Sequence, residues 1–288
     1  MGSRGAGAGY FEPGADIINA MAKNIIEARD VVKRFGDITA VDGISFEVKE
    51  GEIFAFLGPN GAGKSTTISM LTTMLRPTSG KLMLNGHDVA KEQDSARKSF
   101  GIVFQDPALE EELTAYENMQ IHAVLYGTPK KDQARRNEEL LRLVDLWERK
   151  DGYVKTYSGG MRRRLEIARG LLHHPKILFL DEPTLGLDTQ TRNLLWDYVK
   201  KLSRHEGMTI FFTTHYLDEA EAVADRIAII DHGKIITTGT VKQLTDQTNT
   251  KTLEQAYLKL TGTTVRDESS LSNNGLNVRT AMRNKNLR

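Results

Sequence analysis

Glu52-Ile-Phe-Ala-Phe-Leu57 runs directly into Gly58-Pro-Asn-Gly-Ala-Gly-Lys-Ser-Thr66, and the reading of that junction decides the fold. A mostly apolar run of strand length precedes the glycines, and residues 64–75 then have the composition of a helix that stops before Arg76-Pro77. Strand, glycine-rich loop and helix form the context in which backbone N–H groups curl around phosphate oxygens. Gly58, Pro59, Asn60, Gly61, Ala62, Gly63, Lys64, Ser65 and Thr66 are therefore candidate phosphate-binding residues. Lys64 is expected to reach the β and γ phosphates and Ser65 to offer its hydroxyl to Mg²⁺, with roughly half a positive charge added by the helix N-terminus.

Outward from this junction, Ile44-Ser-Phe-Glu-Val-Lys49 alternates apolar and polar residues, and Lys81-Leu-Met-Leu84 precedes an Asn85-Gly86 turn. Both read as half-buried strands of an antiparallel sheet. From about residue 106 to 170 the chain turns polar and helical, with Thr114-Ala-Tyr-Glu117 as a capping box and apolar residues at helical spacing over 132–147. Short apolar strands at 177–180, 209–212 and 226–230 alternate with helical segments, as in a parallel α/β sheet. The expected fold is α/β: a P-loop NTPase core with a parallel sheet, an antiparallel β subdomain and a helical insertion subdomain. One domain is expected over 25–262. Residues 1–24 read as a flexible extension, and 263–288, rich in Ser, Thr, Asn and Arg, as a disordered tail.

Bulk properties narrow the class of function. The 288 residues carry 39 basic and 38 acidic side chains, so no net field favours nucleic acid or an anionic membrane. The absence of cysteine removes disulfides and thiolate metal sites. No apolar run reaches the length needed to span a bilayer.

Further residues carry chemistry only in combination. Asp181-Glu182 ends an apolar strand, where a parallel sheet places its ligands; Asp181 suits a water-mediated contact to Mg²⁺ and Glu182 the polarising of an attacking water. Alone, the pair is as well explained as solvated acids capping a strand. His215 follows the 209–212 strand and so falls at the same sheet edge, within reach of a γ-phosphate, although an isolated histidine there is more often structural. Gln105 follows Gly101-Ile-Val-Phe104, and its amide could touch Mg²⁺ or the attacking water; by itself it reads as a turn residue. Ser158-Gly159-Gly160 can cap a helix over 161–172, leaving N–H groups free for an anion. Arg162, Arg163 and Arg164 point to different sides of that helix and read as solvated or paired with acids such as Glu166.

Taken in order, the phosphate loop, Gln105, Tyr-Ser-Gly-Gly-Met161, Ile-Leu-Phe-Leu-Asp-Glu182, Leu185-Gly-Leu-Asp188 and His215 resemble the ATP-binding subunits of ABC transporters. Residues 157–172 and 213–230 are most similar to the daunorubicin-resistance type of exporter subunit, in the ABC-2 group. The resemblance implies ATP and Mg²⁺ as ligands, with Phe35 stacking on adenine in place of the more usual tyrosine. It implies that Gln105, Glu182 and His215 act in hydrolysis, that Ser65, Gln105 and Asp181 serve the metal, and that Asp188 lies in the loop touching a second subunit. Ser158, Gly159 and Gly160 match the signature turn, which contacts ATP held by the partner copy; Tyr157 and Met161 depart from the usual Leu and Gln. The implied partners are a second ATP-binding subunit, expected to be another copy, and a separately encoded transmembrane permease at the cytoplasmic face of the membrane, with no nucleic acid. Two rivals are a soluble ABC-type ATPase acting on the ribosome or DNA, and a non-hydrolysing binding module. The first generally carries two cassettes or a long coiled-coil insertion, and the second is opposed by the intact Lys64, Glu182 and His215.

Overall fold

A computed structural model describes residues 23–106 and 108–262 of the chain. The chain enters on β1 (Asn24–Phe35), turns at Gly36-Asp37 and returns on β2 (Ile38–Lys49), with Phe35 opposite Ile38. Strand β3 (Ile53–Leu57) leads into the glycine loop and α1 (Lys64–Leu71) leaves it. Strands β4 (Ser79–Leu84) and β5 (His87–Asp88) complete an antiparallel sheet ordered β2-β1-β4-β5. Then come α2 (Gln93–Lys98), β6 (Phe100–Val103) and the helical insertion, made of α3 (Ala115–Leu125), α4 (Lys130–Leu143) and α5 (Gly159–Gly170). The core resumes with β7 (Ile177–Asp181), α6 (Thr189–Glu206), β8 (Thr209–Thr214), α7 (Leu217–Val223), β9 (Arg226–Asp231) and β10 (Lys234–Gly239). Helices α8 (Val241–Thr248) and α9 (Leu253–Thr261) follow. The second sheet is ordered β10-β9-β3-β8-β7-β6; its four pairings from β9 to β6 are parallel, and β10 adds an antiparallel edge.

All five residues of β3 are fully buried because both faces of its sheet are covered. Ile53, Ala55 and Leu57 face the core shared with the helical insertion, together with Leu178, Leu180, Ile210 and Phe212. Phe54 and Phe56 face the opposite core beneath the antiparallel sheet, with Ile177, Phe179 and Phe211. Phe46 of β2 crosses that gap to lie 5.9 Å from Phe54 and 5.5 Å from Phe56, ring centre to ring centre. These offset rings fasten one sheet to the other.

Local chemistry sets where the elements end. The capping box is present: Thr114 accepts from the Glu117 N–H at 3.1 Å, and the Glu117 carboxylate accepts from the Thr114 N–H at 2.8 Å. Helix α1 stops at Leu71, short of the expected residue 75. Thr73 takes a left-handed φ of 64°, and the Ser69 carbonyl accepts from both Met74 and Leu75 N–H at 2.9 Å, closing the turn early. The antiparallel sheet begins at Asn24, the last residue of the stretch expected to be a flexible extension; the part of that stretch before Lys23, and the tail over 263–288, lie outside the described residues.

The helical insertion holds a histidine whose titration is displaced. Burial, and then the neighbouring Arg169 guanidinium, pull the His122 imidazole down to about 4 from an ordinary 6.5. Between those values the unfolded chain binds a proton that the folded chain refuses, so this group's contribution to stability is present above 6.5 and is lost as pH falls toward 4. Replacing His122 by Asn is expected to flatten the fall in urea-melt midpoint across that window. An unchanged slope would remove His122 as its source.

Candidate active site

Strands β3, β8 and β7 are parallel neighbours, so their C-terminal ends emerge side by side. The glycine loop leaves the first, His215 follows the second, and Asp181-Glu182 closes the third. Two glycines in the loop are fixed by close approach. A Cβ on Gly58 would stand 2.2 Å from the Ile230 carbonyl oxygen, and one on Gly63, at φ 103°, 2.6 Å from that of Ala40. No other residue type fits either position without moving the backbone.

Lys64 is only 4% exposed. Its Nζ donates to the carbonyls of Gly58 at 2.8 Å and Pro59 at 3.2 Å and lies 3.1 Å from Glu182 Oε1. The other Glu182 oxygen, Oε2, lies 3.1 Å from His215 Nδ1. Burial works to raise the Glu182 carboxyl, but His215 and Lys64 together outweigh it and hold the group below the usual range. Glu182 is thus an ionised acceptor near neutral pH, with a backbone φ of 46° that turns the chain sharply after β7. Its N–H donates to Thr213 Oγ1 at 3.0 Å, which fixes the turn to the end of β8.

Asp181 Oδ1 accepts from Thr213 Oγ1 at 2.6 Å and from Ser65 Oγ at 3.2 Å. Burial raises this carboxyl, with the two hydroxyls opposing. A carboxylate and a serine hydroxyl side by side present hard oxygens, a donor set suited to Mg²⁺ that keeps part of its water shell. Lys64, Glu182 and His215 are therefore linked side chain to side chain, with Ser65 beside Asp181, all at the one sheet edge where the sequence order puts them. Phe35 lies at the β1–β2 turn, half-buried, with Lys33 Nζ 5.0 Å from its ring centre.

A second group forms around the N-terminus of α5. Ser158 is its N-cap, accepting from Met161 N–H at 3.3 Å, and Ser158 and Gly159 are exposed. A Cβ on Gly160 would stand 2.1 Å from Thr191 Cγ2, so the signature turn packs closely on the start of α6. Asp188 caps that helix, accepting from Thr191 N–H at 2.9 Å and Thr191 Oγ1 at 2.7 Å, which lowers its carboxyl. Gln105 borders a groove of about 390 Å³ that Gly159 and Gly186 also line. Tyr157 replaces leucine without loss of fit: its ring is buried and its hydroxyl donates to the Arg149 carbonyl at 2.5 Å.

Of the three arginines, Arg163 pairs with Glu166 and Arg162 with another acid, in line with the pairing expected from sequence, but the Arg163–Glu166 pair is buried. Arg163 is buried, pairs with buried Glu166 at 3.0 Å, and donates to the carbonyls of Phe104 and Gln105, the latter at 3.1 Å. Arg162 pairs with Glu111, and Arg164 donates to the Val144 carbonyl at 2.9 Å. Sequence reasoning also passed over Thr213, which serves both acids, and the buried trio Thr184, Thr214 and Glu219. The available signal was polarity at the end of an otherwise apolar strand, in Phe-Phe-Thr-Thr214.

The ABC transporter family profile matches residues 41–185. The chain belongs to this family. It is an ATP-binding and ATP-hydrolysing subunit of the ABC transporter type, as the order of motifs implies. Among curated ABC transporter relatives, the linearmycin resistance ATP-binding protein LnrL of Bacillus subtilis is 42% identical over 231 residues, covering 80% of this chain and 74% of that one. The daunorubicin/doxorubicin resistance ATP-binding protein DrrA of Streptomyces peucetius is 45% identical over 227 residues, 79% of this chain and 68% of that one. A solved ATP-binding subunit of an ABC transporter superposes with a TM-score of 0.74 at 30% identity, covering 82% of this chain and 99% of that one. A dimeric ATP-binding cassette, MJ0796, bound to ADP and phosphate after hydrolysis gives 0.67 at 27% identity, covering 75% and 98%.

Proposed function

We propose that two copies of this ABC transporter subunit close head to tail on two ATP molecules, and that hydrolysis reopens them to drive a separately encoded membrane permease. The observation that carries the proposal is the division of the predicted residues into two groups, a buried acid–lysine–histidine cluster and a separate helix N-terminus where Ser158 and Gly159 are exposed. In this reading Phe35 stacks on adenine, residues 58–66 hold the phosphates, and Glu182 orients the attacking water with His215 and Gln105 beside it. Ser65, Gln105 and Asp181 would hold Mg²⁺, which when bound neutralises phosphate charge. Ser158, Gly159, Gly160 and Asp188 act toward the other copy. Switching such a pair from mostly open to mostly closed takes about 5 kcal/mol of preference for the closed state, within reach of several charge-assisted contacts per site.

The domain responsible spans about 25–262, with its helical subdomain at about 106–170. Among the described residues no helix is long and apolar enough to cross a membrane; in this reading the chain is a peripheral subunit that meets the permease at the cytoplasmic face. The end of α3 leaves Ile121, Val124, Leu125 and Tyr126 exposed, a surface suited to an apolar segment of the permease. The names of the drug-resistance relatives favour export of a drug-like or lipid-like compound; near-zero net charge gives no support to a nucleic-acid partner. Co-expressed with its membrane subunit, the chain is expected to co-purify with it and to power Mg²⁺-dependent uptake of an anthracycline into inverted vesicles, with Val124→Asp weakening co-purification. Recovery with ribosomes or DNA in place of a membrane subunit would favour the soluble ATPase instead.

A further inference from the structure

Glu219 lies in α7, one turn beyond His215, and is 3% exposed. Its Oε1 accepts from Thr184 Oγ1 at 2.5 Å, and its Oε2 from Thr214 Oγ1 at 3.0 Å. Thr214 Oγ1 also accepts from the Tyr216 N–H at 3.0 Å, on the other side of His215. Arg192 of α6 brings Nε to 3.3 Å from Oε1, and its guanidinium lies over the Tyr216 ring, 4.7 Å from the ring centre. One buried carboxylate therefore binds three segments: the turn that follows Glu182, the strand end that precedes His215, and the helix that Asp188 caps.

Taking a carboxylate out of water is costly, and well-packed apolar residues often serve stability as well or better. The placement is explained by what the group connects. Thr184 lies two residues after Glu182 and four before Asp188, and Thr214 is adjacent to His215. Without the bridge, the side-chain ties described between the Glu182–Asp188 loop and the His215 strand end fall mainly on Thr213 and on the Glu182–His215 bond, at the points where the chemistry itself must act.

We propose that Glu219 is a positioning residue for hydrolysis: it pins the loop bearing Glu182 and Asp188 to the strand end bearing His215, so that contact of a partner copy with Asp188 is transmitted to both reacting groups together. This deepens the reading above and rests on its assignment of Glu182 and His215.

The test compares Glu219→Gln, Glu219→Ala and Glu219→Met in the full chain. Gln can bridge both threonines with its oxygen and amide; Ala cannot, and Met fills the volume without bridging should the Ala protein fail to fold. Because misplacement of about 1 Å costs on the order of 10²-fold in rate, kcat is expected to fall between roughly tenfold and a hundredfold in the Ala and Met proteins. KM for ATP should stay within about twofold, and Gln should restore most of the rate. Amide hydrogen exchange should quicken at both 184–188 and 214–217 in the Ala and Met proteins. A wild-type kcat in the Met protein overturns the role, as does quickened exchange confined to α7, or a Gln protein as slow as Ala with KM rising in step. Glu182→Gln, run in parallel, separates the two levels. If it hydrolyses ATP normally the underlying assignment fails; if it is inactive while the Glu219 proteins turn over normally, only the role of Glu219 fails.

Discussion

Glu182→Gln is expected to collapse ATP turnover while ATP-bound pairs accumulate. The substitution keeps the volume of the side chain and removes the charge that Lys64 and His215 lower into its ionised state at 3.1 Å each. A neutral amide cannot polarise water toward phosphorus, and losing a group in this role typically costs 10²- to 10⁴-fold, about 3–5 kcal/mol of barrier. ATP binding draws on other groups, chiefly the loop amides and Lys64, so closure should proceed and reopening should not. Steady-state hydrolysis and size-exclusion chromatography with and without ATP read the two arms. An unchanged hydrolysis rate would remove Glu182 from its role, and a dead enzyme that never dimerises would place the defect before hydrolysis.

Ser158→Phe is expected to lower turnover as well, but by keeping the two copies apart rather than by trapping them together. Loss of the serine cap costs about 1 kcal/mol of helix stability, a minor effect in a domain of this size. The larger effect is steric, because Ser158 and Gly159 are exposed where, in the proposed pair, a second copy's ATP approaches, and Gly160 already packs against Thr191 with no room to yield. A ring there holds the pair apart, so turnover should fall on the order of 10²-fold, as for other small misplacements of reacting groups. Nucleotide binding by the single chain should stay near wild type, since the phosphate loop lies on a different element. Ser158→Ala, which removes the cap without adding bulk, isolates the stability contribution. Equal losses of binding and turnover in the Phe protein would indicate misfolding and sink the reading.

The core was legible because its signals are local. Residues 52–66 announce strand, loop and helix within fifteen positions, and each apolar strand of the parallel sheet shows its own composition. The same locality explains what was missed. The early stop of α1 depends on a left-handed Thr73, a conformation that threonine does not advertise. The pairing of Arg163 with Glu166 was legible from their spacing, but the burial of the pair follows only from tertiary packing of α5 against the backbone at 104–105. Glu219 is acidic, helical and flanked by other acids, so its sequence reads as a solvated face, and only the fold brings Thr184 from 35 residues upstream to meet it. Charged side chains used as internal ties carry the composition of surface, and periodicity alone cannot separate the two.

The side-by-side exits of β3, β8 and β7 carry a broader consequence. Neighbouring strands stand about 4.8 Å apart whatever their side chains, because backbone hydrogen bonds set the spacing. The anchor points of lysine, carboxylate and histidine are thereby gauged by the main chain, and the surrounding helices are free to drift as partners and cargo change. On the proposed assignment, changes in the outer helices that alter partner or cargo are expected to leave the spacing of these three groups untouched, because the main chain and not the side chains carries the ruler.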